Sequence, residues 1–278
     1  MSLIYPNIVP ENNLRLPDAL TIEHGPAPLL ARFVLECDKA ARRYGLRLRL
    51  RHDFAALNRL NREQAALGTW YPLIDMFNPE RTDVGPDNAY WISGENDAGD
   101  IVATTAARIY YWPDTNLEEQ AVAMLYGRDD GQPCIVTTKA AKTIGGVVLS
   151  AGGTWVRPDY RKRQLSHILP RVTRAYGLAR WPLDWIIGYV TTLLVNKGVA
   201  AGYGSKHFGY SVVYPGLPFG ELVLAYTSGE EAYDDLAVYL ATELSEAAGG
   251  VASFSTSLAQ EVTKISSDGV RQGNSSRS

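Results

Sequence analysis

The chain has 278 residues, 46% of them hydrophobic, a net charge of -3 and two cysteines. That is apolar material for one large or two small cores, too little positive charge for a general nucleic-acid binder, and too few cysteines for a disulfide scaffold. No apolar run has the roughly 18 residues of a membrane span and no signal-peptide pattern is seen, so the cytoplasm is the default compartment, and His24, His52, His167 and His207 show no metal-ligand spacing.

Residues 1–24, rich in Asn and Pro, read as an arm wrapping the body. A helix follows over residues 27–44: Pro28 suits a first turn, Leu29, Leu30, Phe33, Val34, Cys37 and Ala41 make a buried stripe, and Gly45 ends it. Residues 46–51 alternate leucine and arginine, the period of a half-buried strand, and Arg47, Arg49 and Arg51 on its outer face suit a sheet edge. Asp53 caps a second helix that Gly68 terminates. The aromatic, aperiodic stretch 69–88, with Trp70, Tyr71, Met76 and Phe77, is either a short helix and pocket-lining loop or satellite core. Residues 89–112 form a hairpin turning at 95–100. Thr115 and Glu118 make a capping box for a short helix to Tyr126, and a further strand is expected at 133–137.

The organising stretch is residues 144–176. Its strand region, 144–156, holds Gly145, Gly146, Gly152 and Gly153, which point to a bulge or a close backbone approach. Pro158 stops ladder pairing, residues 160–166 make a tight basic turn, and a helix then carries Leu165, Ile168, Leu169, Val172 and Tyr176 on one face. The free N–H groups at that helix start are a ready anion site. Arg157, Arg161, Lys162, Arg163 and, one or two turns on, Arg171 and Arg174 are expected around it; the competing reading is a solvated basic face. Residues 184–190 read as a central apolar strand, 191–202 as a helix weakened at Gly198, and 208–214 and 221–226 as two strands. Ser228 with Glu231 caps a last helix, 230–247, and a Gly/Ser/Thr/Asn-rich tail follows at 248–278. The order predicts an α/β fold, a mixed sheet covered by helices on both faces. One main domain, 46–247, would carry an N-terminal addition, 1–45.

The run V-R-P-D-Y-R-K-R-Q-L-S-H-I-L, residues 156–169, resembles the strand–turn–helix signature of the GCN5-related N-acetyltransferase superfamily, Val-x-Pro-x-Tyr-Arg-Gly-Lys-Gly-Ile-Gly. Val156, Pro158, Tyr160, Arg161, Arg163 and Leu165 sit where that pattern wants them. Asn196, Tyr203, Gly209 and Tyr210 resemble the family's downstream Asn…Tyr…Gly-Phe run, and the likeness spans residues 46–226. It implies a mostly antiparallel sheet whose two central strands splay apart. It also implies acetyl-CoA or another acyl-CoA as co-substrate, without a metal, and acyl transfer to a small-molecule or peptide amine by direct attack in a ternary complex. Nucleic acid and membrane are not implied partners. By the same resemblance, cofactor contacts fall on a strand N–H near Trp155 or Val156, on backbone N–H groups of Arg161, Lys162, Arg163, Gln164, Leu165 and Ser166 with help from the arginines, and on Asn196. Tyr203, with an ordinary pKa of about 10, is the acid toward the departing thiolate. Gln164 and Ser166 stand where the signature has glycines, which motivates an alternative: a catalytically silent fold of this type used for binding or regulation. His167, His207 and the carboxylates Asp75, Glu80 and Glu95 are subsidiary acid–base candidates.

Overall fold

The computed structural model describes residues 14–126, 135–136, 138–213 and 221–244. The readings made for residues 1–13, for most of the strand at 133–137 and for the tail lie outside the described residues. Within them, β1 (Arg47–Arg51), β2 (Ala89–Glu95), β3 (Ile101–Trp112), β4 (Ile135–Val136), β5 (Gly146–Val156), β6 (Trp185–Thr191), β7 (His207–Val213) and β8 (Glu221–Ser228) form one open sheet. Its order is β1-β2-β3-β5-β6-β8-β7-β4. Neighbours are antiparallel except β5 and β6, which run parallel. The helices are α1 (Ala27–Arg43), α2 (Phe54–Ala66), α3 (Leu117–Tyr126), α4 (Leu165–Arg180), α5 (Thr192–Asn196) and α6 (Gly229–Tyr239). A parallel pair needs a crossover, and α4 supplies it.

Alternation along the strands divides the core in two. Leu149 and Ile186 join the core under α1, α4 and α6, while their neighbours Val148 and Ile187 join the other, under α2 and α3. The mixed sheet is thus covered on both faces, as its sequence pattern requires.

The arginine face of β1 lies at the sheet edge, as read from its alternation. Arg49 and Arg51 both pair with Glu95 on β2, at 2.9 and 2.5 Å, and Arg51 also covers the Trp91 ring. The free edge of β1 is met by the N-terminal segment: the Leu16 N–H donates to Leu48 O at 2.9 Å and the Leu50 N–H to Leu14 O at 3.3 Å. Arg15 then ties that segment to the buried Asp38 of α1 at 3.0 Å.

Two boundaries differ from the sequence reading. The cap of α3 is Asn116, whose Oδ1 accepts from the Glu119 N–H at 3.2 Å, so the capping pair is shifted by one residue from Thr115 and Glu118. The expected helix 191–202 is cut to α5 and a separate turn, Ala200–Tyr203, because Gly198 adopts φ +71° and ends the first piece. The last helix runs on from α6 through Leu240–Leu244, where the description stops. Asp53, Gly45 and Gly68 act as read, and Ser228 with Glu231 makes a complete capping box.

The crossover helix is pressed hard onto β5 at Gly177. A Cβ there would collide with Leu149 Cδ1 and come within 2.9 Å of the Tyr90 hydroxyl oxygen, both of them buried groups. Alanine should raise helix propensity by about 1 kcal/mol, yet overpacking costs about 1–3 kcal/mol. Gly177→Ala is therefore expected to lower the urea midpoint without changing m.

Candidate functional site

β5 and β6 touch over four rungs, from Val148 with Trp185 to Ala151 with Gly188, and then separate. Above that point β5 continues on β3 and β6 continues on β8, leaving a wedge between them. A bulge in β5 marks the start of the wedge. Gly153 and Thr154 together oppose Thr105, and Gly153 has φ +59°, the left-handed conformation of a glycine bulge. Thr104 Oγ1 pins the bulge by donating to Gly153 O at 2.8 Å.

The ladder fixes which strand N–H groups face the wedge. The Arg157 N–H donates to Val102 O at 2.8 Å, across the pair Ala103 and Val156. In an antiparallel ladder that pattern belongs to a non-hydrogen-bonded pair, so the N–H and C=O of Val156 point away from β3. Its carbonyl accepts from Arg161 Nε at 3.0 Å, and its N–H is directed into the wedge. The Trp155 N–H faces β3 instead, which corrects the expectation that either residue would serve. The Trp155 indole is engaged elsewhere: it donates to Thr69 O at 3.2 Å and stacks on Trp70 at 5.3 Å, bringing the loop 69–77 over the β5 end.

Beyond β5, the short turn Pro158–Tyr160 leads to α4. Among the described residues, no protein acceptor takes the backbone N–H groups of Lys162, Arg163, Gln164, Leu165 or Ser166; the first capping bonds run from His167 and Ile168 to Gln164 O. Lys162 and Gln164 have φ +64° and +55°, the only described non-glycine residues with positive φ. Successive N–H groups in such a turn form a concave anion nest, and strained side-chain-bearing residues of this kind concentrate at ligand sites. The chain therefore keeps the glycine-type backbone of the signature with larger residues. Lys162 also occupies a glycine position of that pattern, a signal the sequence reading passed over. Ser166 lies within the helix and needs no such conformation.

The basic side chains are arranged differently from expectation. Arg161 bridges Val156 O and Thr69 O, each at 3.0 Å. Arg157 is bidentate to Asp159 at 2.8 and 2.9 Å, and Arg157 and Arg163 lie over the Tyr160 ring at 5.1 and 4.5 Å. These groups shape the turn. Arg171 and Arg174 do not surround it at all: they point from α4 toward α6 and are buried. Arg171 is bidentate to Asp235 at 2.8 and 3.2 Å, and burial pushes Arg174 down to about 10 against the attraction of Asp235.

Tyr203 packs with Val190, Val223, Ala225 and Phe208 on the sheet. Its level is that of Gly188 to Val190, where the wedge opens. Burial raises its pKa, so the phenol is protonated at neutral pH. Asn196 closes α5 as an exposed residue whose side chain makes no described hydrogen bond. His207 is not on a helical face with Tyr203, because Gly204 at φ +80° turns the chain into β7. It sits at the level of Ile187, below the parting, and pairs with Glu231 at 2.7 Å. His167 packs against Gly202, and its pKa is lowered by burial and by Arg171. The subsidiary carboxylates are all in ion pairs: Asp75 with Arg81, Glu80 with Arg62, and Glu95 with Arg49 and Arg51.

A cavity of about 650 Å3 lies at the far end of α4, beside His52, Tyr176 and Arg180, away from the turn. Among the described residues no group of three or more His, Cys, Asp or Glu could hold a metal, and no helix is long and apolar enough to cross a membrane.

No protein-family model matches the chain, and no curated protein does. Solved structures with a similar arrangement include an N-acyl amino acid synthase, FeeM, from uncultured soil microbes, at 13% identity and a TM-score of 0.43, covering 71% of this chain and 99% of that one. Arabidopsis thaliana NAA60 in complex with acetyl-CoA aligns at 12% identity and 0.42, over 66% of this chain and 98% of that one. A variant of the spermidine N-acetyltransferase SpeG from Vibrio cholerae aligns at 8% identity and 0.43, over 68% and 96%. At these values the functional reading rests on the geometry above.

Two outcomes follow from the site's local physics. A left-handed non-glycine residue costs about 1 kcal/mol, so Gln164→Gly should leave the urea midpoint unchanged or raised. Ser166→Gly, inside the helix, should lower it. Hydrogen bonds from Ser228, then its pairing with His207, hold the Glu231 carboxyl down at about 2, against an ordinary 4.5. A depressed carboxylate stabilises above its unfolded pKa and loses that contribution as pH falls through the folded one. Glu231→Ala is thus expected to cost about 1 kcal/mol at pH 7, with the gap to wild type closing between pH 4.5 and 2 in urea titrations.

Proposed function

We propose that the protein is an acyl-CoA-dependent N-acyltransferase of the GCN5-related type, transferring an acyl group, with acetyl as the first candidate, to an amine. One observation carries this reading: the wedge between two parallel central strands ends in a strained turn with a run of backbone N–H groups that no acceptor among the described residues uses. The N–H groups of Lys162 to Ser166 would bind the pyrophosphate, whose charge complements both the nest and the α4 dipole. Pantetheine would lie along the open edge of β5, and Asn196, exposed at the end of α5, would contact it from the β6 side.

The acyl-CoA supplies an activated thioester. The Val156 N–H donates to its carbonyl oxygen as negative charge develops there. The amine nitrogen forms a bond to the carbonyl carbon, the C–S bond breaks, and the thiolate takes the Tyr203 proton; the amine's proton leaves to water. A protonated phenol is the form this step needs.

Calorimetric titration with acetyl-CoA and with free CoA should give affinities on the order of micromolar. Arg161→Ala releases the turn from β5 and Thr69 and should weaken both about tenfold. Tyr203→Phe should leave cofactor affinity intact and lower kcat about a hundredfold. Binding without thioester cleavage for any amine tried would favour the silent alternative, and absence of binding would remove the acyl-CoA reading altogether.

A further inference from the structure

The cavity of about 650 Å3 at the far end of α4 takes no part in the acyl-transfer reading. Tyr176 in its lining comes eleven positions after Leu165, about 16 Å along the helix from the turn, so a molecule held there is neither cofactor nor acyl acceptor. Tyr176 is 5% exposed, and its ring packs against Tyr90 at 4.6 Å. Its hydroxyl keeps accessible surface and bonds to no described residue. Burial raises its pKa, so it is a neutral phenol near pH 7. The hydroxyl of a buried residue ordinarily has a partner, and here the cavity is where one would sit.

The other polar groups around this space are mostly acceptors. His52 directs Nδ1 at Ala89 O, at 3.1 Å; a carbonyl only accepts, so Nδ1 carries the hydrogen and Nε2 of the neutral ring is left as an acceptor. Asp53 accepts from the Ala56 N–H at 3.0 Å and has no cation beside it, and Asp87 pairs with no described residue. Among the described residues of the lining, Arg180 is the one permanent cation, and Glu23 neutralises it. Two carboxylates, a ring nitrogen and a phenol oxygen thus face a space whose cation already has its counter-ion, while Leu50 and Pro86 add apolar wall.

We propose that this cavity binds a small organic ammonium ion. Its N–H groups would donate to Asp53 and Asp87, as charge-assisted bonds, and to Tyr176 Oη, with the carbon skeleton against Leu50 and Pro86. The site stands whether or not the protein transfers acyl groups.

The test uses 2-phenylethylammonium, with 2-phenylethanol as its uncharged counterpart, titrated calorimetrically in mildly alkaline buffer into the full chain without cofactor. The ammonium is expected to bind saturably and at least tenfold more tightly than the alcohol. Asp53→Asn combined with Asp87→Asn removes both charges, while asparagine caps α2 as well as aspartate does; this double variant should abolish the preference. Tyr176→Phe keeps the ring and its packing and should weaken the ammonium about fivefold. Equal binding of ammonium and alcohol by the wild type, or no saturable binding of the ammonium, overturns the proposal and leaves the cavity as solvent space. An ammonium affinity unchanged in either folded variant places the amine elsewhere, the acyl-acceptor site included, and overturns it too. Where Tyr176→Phe fails to fold, the double variant, altered only at exposed residues, decides alone. Failure here leaves the coenzyme A titration unaffected, so the two readings fail separately.

Discussion

Everything distinctive in this molecule depends on the brief parallel contact between β5 and β6. Antiparallel neighbours hold each of these strands on its other side, so each is free to follow its own partner once the contact ends. Two glycines set where that happens. At Gly188 a Cβ would lie 3.2 Å from Ala151 O, so the strands meet closely at the last rung. At Gly153 the left-handed bulge turns β5 away from the direction of β6. A hydroxyl chain supports the bulge from the helix side: Thr173 donates to Leu169 O at 2.9 Å, its oxygen lies 3.0 Å from Thr105 Oγ1, and Thr154 meets that Thr105 oxygen at 3.3 Å. Beyond that last rung, the facing edges of β5 and β6 no longer pair with each other.

The charges follow from the same arrangement. Arginines beside the turn face carbonyls, Asp159 and the Tyr160 ring, which holds the turn in shape while leaving its N–H groups available. The free donors at this turn are therefore backbone groups, in a protein whose net charge is -3. The arginines further along α4 have another task. Arg171 donates to Gly202 O at 2.6 Å and Arg174 to Ser205 Oγ at 2.8 Å, so the two residues hold the chain on both sides of Tyr203. Asp235 on α6 balances Arg171 through a bidentate pair and draws on Arg174 through space. Breaking that trio would leave buried charge uncompensated, and the segment carrying Tyr203 would lose its anchor to α4.

The connection between β3 and β5 extends this design. It places α3 over the sheet face opposite α4, and sends β4 to pair with β7 at the far edge. The loop 69–77 covers the upper part of the same face through Trp70 and Phe77. Access to the wedge is thus framed by different chain segments on its two sides.

Local rules made much of this legible in the residues alone. Period-two alternation revealed β1 as an arginine-faced edge, glycine clustering announced a bulge in β5, and the Ser228–Glu231 spacing announced the start of α6, because each depends only on neighbours a few positions away. The turn at 160–166 was legible as a tight strand-to-helix connection for the same reason. Tertiary structure decided what depends on distant partners. Whether Val156 or Trp155 offers its N–H to the wedge is set by the register with β3, in which a single bulge residue changes the direction of every group beyond it. Arg171 and Arg174 left the turn because helical spacing carries them to the side facing Asp235, 64 positions from Arg171 along the chain. Arg108 gave no local signal, since its bonds to Met76 O and Asp83 O exist only after the loop closes over β3.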